Sequence, residues 1–239
     1  MAHGKNTSVL FNEFDLSTYF NQADASLDQS IGEATGFQPA GGARSFEAGL
    51  NGGTASLSGF FNGAAAAVDA KLSAALNPSA DDVVTICPQG VLTIGNIAKM
   101  LASQLTQYQV SSPLDGIVTV SGQLQANGGV SSGKVLHALG AETVTGNDAS
   151  VDNTTSSANG GVAHLHVTTA SGTTPSNTVV VQHSPDNSVW ADLITFTAAT
   201  AATKERMAVT GTVGRYVRSK RTISGTTPSF TYMCAFARR

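Results

Sequence analysis

Residues 50–76, LNGGTASLSGFFNGAAAAVDAKLSAAL, constrain the fold more than any other stretch. Thr54, Ser56 and Ser58 alternate with Ala55 and Leu57, and Phe61 continues the apolar side. This period of two predicts a strand that buries one face. Asn62-Gly63 breaks the run, and Asn62 is placed to cap a following helix. In that helix Val68, Leu72, Ala75 and Leu76 share one side, with Asp69 and Lys71 turned elsewhere, and Asn77-Pro78 stops it. A strand feeding one short amphipathic helix, with β-rich sequence on both sides, predicts a sheet with a helix laid on it.

At 239 residues the chain can bury a real core and suits two domains. Charged residues are only 12% and glycine is abundant, the make-up of an all-β protein with tight turns. No apolar run is long enough to span a membrane, and MAHGKNTSVLF lacks the apolar segment of a signal peptide, so a cytosolic origin is expected. Cys87 and Cys234 each sit in apolar strand-like runs and read as buried thiols. Charge is unevenly divided. Up to Gly133 there are ten acids and four bases; from Lys134 onward there are nine bases and six acids. Two units in different surroundings follow, with residues 127–133, NGGVSSG, as the linker.

In the first unit, residues 7–14, 23–31 and 82–88 read as strands, and residues 36–49 as a loop or extended hairpin projecting from the sheet. Residues 97–110 carry both helical and alternating spacing; a strand is favoured because it pairs naturally with residues 117–124 across SSPLDG. Beyond the linker, seven strand-like runs (135–139, 162–168, 178–183, 189–196, 206–209, 216–223 and 230–236) predict a β-sandwich. The hexapeptide SGTTPS occurs twice, at residues 171–176 and 224–229, and reads as a reused turn.

Chemistry is sparse. No Gly-x-Ser-x-Gly leads from a strand into a helix, and the chain has no phosphate loop, dinucleotide fingerprint or HExxH, so neither an enzyme nor a cofactor is expected. His164 and His166 share one side of a strand, with His183 on a run able to pair with it; they are the candidate metal ligands, but no carboxylate supports them and no metal is expected. Arg215, Arg218, Lys220 and Arg221 divide between two strand faces, which reads as a solvated or intersubunit cluster and not a nucleic-acid surface. Trp190 reads as core filler, or as a stacking platform for a sugar.

The runs GKNTSVLFNEFDLSTYFNQADASLDQSIGEATGF, GLNGGTASLSGFFNGAAAAVDAKL and SSPLDGIVTVSGQLQANGGV resemble the major tail proteins, or tail tube proteins, of long-tailed bacteriophages over residues 4–133. The resemblance implies a mainly β chain. Residues 1–133 would form a tail-tube-like β-sandwich or half-barrel with one flanking helix, and residues 134–239 an accessory β-sandwich on the tube exterior. It also implies stacked, hexameric rings in the virion tail, assembled in the host cytoplasm, with DNA passing through the lumen without specific binding. Partners would be further copies of the chain and the tape measure, terminator and distal tail proteins. Residues 36–49 become the stacking loop, with Phe37, Arg44, Phe46 and Glu47 as contacts. Asp24, Asp28, Glu33 and Glu47 become channel-lining candidates, because a basic lining would hold phosphate. The second unit resembles exterior domains of such proteins, and VQHSPDNSVWADL is similar to strands of carbohydrate-binding modules. The alternative is therefore a host-surface glycan-binding module using Trp190.

Overall fold

The computed structural model describes residues 3–37, 42–65, 67–76 and 80–239. The chain is mainly β, as expected, with one helix and one continuous antiparallel sheet system. In the first half, β1 (Ser8–Phe11), β2 (Phe14–Asp15), β3 (Phe20–Glu33), β4 (Phe46–Phe60), β5 (Asp82–Cys87), β6 (Ile97–Ser111) and β7 (Thr119–Ala126) hydrogen-bond in the order β2-β1-β5-β6-β7-β4-β3. The sheet curls so that Phe11, Val84, Leu101, Leu124 and Leu57 meet in one core, closed by Val68 and Leu72 of α1 (Val68–Ala74). This is the predicted half-barrel with a flanking helix.

Two local details differ from expectation. Phe61 lies past the end of β4 and is exposed, while Gly59 takes the last inward position against the backbone of Tyr19. Asn62 does not cap α1. Its Oδ1 accepts from the Ala64 N–H at 3.0 Å, and Ala67 occupies the N-cap without a side-chain bond. The expected stop at Asn77-Pro78 lies outside the described residues.

The second half comprises β8 (Ser131–Glu142), β9 (Gly146–Asn147), β10 (Val151–Asp152), β11 (Gly161–Ser184), β12 (Ala191–Thr195), β13 (Thr203–Val209) and β14 (Tyr216–Arg238). The runs 162–168 and 178–183 are one strand, and so are 216–223 and 230–236. The two SGTTPS copies are not turns. They lie midway along β11 and β14 and face each other: Ser171 opposite Ser229, Thr173 opposite Thr226, Ser176 opposite Ser224. Gly172 and Gly225 have φ of 113° and 121°, and Thr174 and Thr227 both have φ of 48°. The register shifts within this segment, so each long strand bends and changes layer without reversing direction. One arm of the β11–β14 pair is flanked by β13 and β8, the other by β12 and by β9 with β10. The flanking is thus two-fold: β12 and β13 lie against the two arms of β11 as β8 and the β9–β10 pair of short strands lie against those of β14, around a shared core that includes Leu165, Val181, Val217 and Tyr232.

The predicted linker is structured. β8 starts at Ser131, so the expected boundary after residue 133 falls inside a strand. β8 pairs with β6 through Ser131–Lys134 and with β14 through Lys134–Glu142. A third apolar cluster, including Leu10, Met100, Val135, Val162 and Met233, fills the joint between the halves.

Candidate functional site: a polar face and a buried joint

Strand alternation gives the first sheet two unlike faces. Ala55, Leu57, Val120 and Leu124 turn into the core, which leaves Thr54, Ser56, Ser58, Ser121, Gln123 and Gln125 on the opposite side. On β3 the same face carries Gln22, Asp24, Ser26 and Asp28, and on β6 it carries Gln107 and Gln109. These side chains bind one another. Gln22 donates to Asp24 at 2.7 Å, and Ser26 shares a hydrogen bond with Thr54 at 2.8 Å. No lysine or arginine occurs in residues 20–33, 46–60, 104–111 or 119–126. The face is hydrophilic, its only ionised groups are carboxylates, and it cannot form charge-assisted bonds to phosphate.

Past Thr54, where β7 ends its pairing with β4, β3 and β4 continue together as a two-stranded arm. Among the described residues, no strand pairs with the outer edge of β3. Asp24 and Asp28 are exposed on the polar face, and the register places Glu47 opposite Gly32 on that same side. Glu33 falls opposite Phe46 on the other side, 3.7 Å from Arg44, so the four proposed lining acids do not share one face. Of the proposed stacking residues, Phe37 is fully exposed and Phe46 is 54% exposed. Residues 38–41 of the predicted loop lie outside the described residues. Sequence reasoning missed Leu27, Ile31 and Leu50, which are also exposed on the arm. The available signal was an apolar residue recurring in a strand with no second apolar partner to bury it.

The three candidate metal ligands are not brought together. His164 and His166 lie on the first arm of β11, both fully buried against the first sheet. His183 lies beyond the bend, and its Nδ1 accepts from the Gly214 N–H at 2.9 Å. Among the described residues, no three histidine, cysteine, aspartate or glutamate side chains could hold a metal ion together. The histidines instead form a hydrogen-bonded bridge. His166 Nδ1 is 2.6 Å from the Asn12 carbonyl oxygen, which can only accept, so Nδ1 carries the proton and Nε2 accepts. Thr85 Oγ1 lies 2.8 Å from that Nε2 and donates to it, then accepts from His164 Nδ1 at 3.0 Å. Burial lowers the pKa of both rings, that of His166 to about 4. Asn12, held at φ 54°, also donates to Asp82 at 2.7 Å and accepts from the Val83 N–H.

The basic cluster divides further than expected. Arg215 forms a two-pronged pair with exposed Asp152, and Arg218 stacks 4.0 Å from the Trp190 ring. Arg221 is not solvated: it is buried, 2.7 Å from Glu142 and 3.2 Å from Asp148, which also binds His137 at 2.9 Å. Trp190 is half-buried and not core filler, with one ring face under Arg218. Cys87 and Cys234 are buried free thiols, and burial pushes Cys87 up to about 12. Among the described residues, no helix is long and apolar enough to cross a membrane.

No family model and no curated protein matches the sequence. Among solved structures, the chain is similar to several chains at low identity. It resembles a chain of the tail of an empty gene transfer agent particle with C6 symmetry (14% identity, 55% of this chain and 98% of that one, TM-score 0.45). A chain from the native gene transfer agent virion gives 14% identity over the same shares, with a TM-score of 0.44. The SPP1 Dit protein, from a hub adsorption apparatus of phages infecting Gram-positive bacteria, is similar at 12% identity over 97% of this chain and 99% of that one (TM-score 0.35).

Proposed function

We propose that this chain is a structural subunit of a phage-type tail. Copies assemble into stacked, six-membered rings whose lumen passes DNA, and the unit from residue 134 onward decorates the exterior. One observation carries the reading: a broad polar face without cations adjoins an arm that exposes Leu27, Ile31 and Phe46 and, among the described residues, leaves the β3 edge unpaired. Open edges and exposed apolar side chains are what a subunit buries against its neighbours. A face of serine, threonine, glutamine and aspartate lets a polyanion slide because it offers no counter-charge. Asp24, Asp28 and Glu47 are assigned to the lumen, and Phe37 and Phe46 to contacts between rings. Negative-stain electron microscopy of the purified chain tests the reading. Rings or tubes with six-fold symmetry are expected, and a persistent monomer that also fails to add to purified tails would overturn it.

A further inference from the structure

The apolar joint between the two halves contains one polar bridge, made of groups from three separated parts of the chain. β11 supplies His164 and His166, β5 supplies Thr85, and the β1–β2 turn supplies the Asn12 carbonyl. Both rings have zero exposure, and His164 Nε2 has no protein partner. We propose that this bridge is a proton-operated latch: it holds the C-terminal sheet on the N-terminal sheet while both imidazoles are neutral and releases it when they take up protons.

The bond directions supply the mechanism. Thr85 has one hydroxyl proton, donated to His166 Nε2, and its oxygen accepts from His164 Nδ1. A proton added at His166 Nε2 turns that acceptor into a donor, so Thr85 then faces N–H groups on both sides. Its single hydrogen loses its acceptor, and the new cation has no water around it. The neighbouring charges make matters worse. On β13, Arg206 stands opposite His164 and Lys204 opposite His166. Glu205, between them, faces away and binds Thr197. β14 contributes only Met233 and Ala235 opposite the histidines, with the Cys234 thiol between. β5 contributes Asp82, engaged by Asn12, with Asp81 preceding it and Glu13 following Asn12 in the adjoining turn. A proton on either ring therefore enters a site whose nearest cross-strand groups are cations.

The sign is definite. The histidine pKa values are lower in the closed joint than in water, so the open joint binds more protons between about pH 6.5 and about pH 4. The latch contributes fully above that window and is lost as the pH falls through it. Asp82 works the other way: burial raises its pKa, so its protonation in acid favours the closed joint and cannot account for opening.

Hydrogen–deuterium exchange of the intact chain from pH 7.5 to pH 4, corrected for the intrinsic pH dependence of exchange, tests the latch. Residues 82–87 and 161–167 are expected to lose about tenfold or more of their protection as the pH falls, while residues 120–124 keep theirs. In the H164N/H166N double variant, each asparagine amide keeps a donor near the position of Nδ1 but does not titrate, so the protection of the joint at pH 7.5 should not change on lowering the pH to 4. Wild-type protection unchanged down to pH 4, or opening of the double variant at the wild-type pH, overturns the proposal. Should the double variant fail to fold, T85V provides the second test. Removing the bridging hydroxyl while leaving both histidines should raise the pH at which the joint opens, and an unchanged midpoint overturns the latch.

Discussion

Gly172 passes so close to Thr227 that a Cβ on the glycine would stand 2.7 Å from the threonine carbonyl oxygen. The mirrored contact is nearly the same: a Cβ on Gly225 would stand 2.8 Å from the Thr174 carbonyl oxygen. Both glycines also have φ values that other residues rarely adopt. Gly172→Ala and Gly225→Ala should each destabilise the chain by about 1–3 kcal/mol, and by similar amounts because the two sites are equivalent. Denaturant unfolding of the two variants checks both the size and the equality.

Arg221 separates Glu142 from Asp148 inside the second unit. Arg221→Ala leaves two carboxylates in a site built around a cation, and a loss of about 3–5 kcal/mol is expected. Arg215→Ala, which breaks the exposed pair with Asp152, should barely move the unfolding midpoint. Thermal melts of the two variants side by side distinguish a buried network from surface charge.

The Tyr232 hydroxyl is buried without a partner while its ring stacks on His137 at 3.9 Å between centroids. Tyr232→Phe keeps the stack and removes an unsatisfied group. Its stability should be unchanged or higher by about 1 kcal/mol, where an ordinary large buried tyrosine would lose stability. Calorimetry decides.

On the arm, Phe46→Ser and Leu50→Ser alter side chains that are 54% and 86% exposed. The fold should tolerate each within about 0.5 kcal/mol. On the proposed assembly, sedimentation and microscopy should nevertheless show loss of rings or tubes, because an apolar side chain of the arm proposed to contact a neighbouring copy has been removed.

Asp24→Lys with Asp28→Lys places two cations on a face that has none. Assembled particles carrying both substitutions should eject DNA more slowly, and more so at low salt, where phosphate contacts are strongest. A fluorescence assay of ejection rate against ionic strength provides the measurement.

The elements most legible from sequence were those with a strong local period. Ala55 and Leu57 against Ser56 and Ser58 announced a one-faced strand, and the shared side of Val68 and Leu72 announced the helix over it. Residues 97–110 are harder, because Leu101 and Leu105 suit a helix as well as the strand they form; the strand is legible only through its hairpin partner β7 just beyond the turn. The repeated SGTTPS showed that something was duplicated, but glycine and proline signal a bend as readily as a reversal. Only the cross-strand register distinguishes the two. From the sequence alone Arg221 belongs to a solvated or intersubunit cluster, since the carboxylates that enclose it, Glu142 and Asp148, are distant along the chain. The histidines were noticed for their spacing, while Thr85 and Asn12, which define their chemistry, offered no signal before the strands were placed.

β8 belongs to both sheets at once, hydrogen-bonded to β6 at its start and to β14 along the rest. No swivel separates the two halves there, so a bend imposed on one half would be transmitted straight to the other. Ending the chain at residue 133 would cut β8 in two and take Val135, Val162 and Met233 away from Leu10 and Met100, baring an apolar surface in place of a clean truncation.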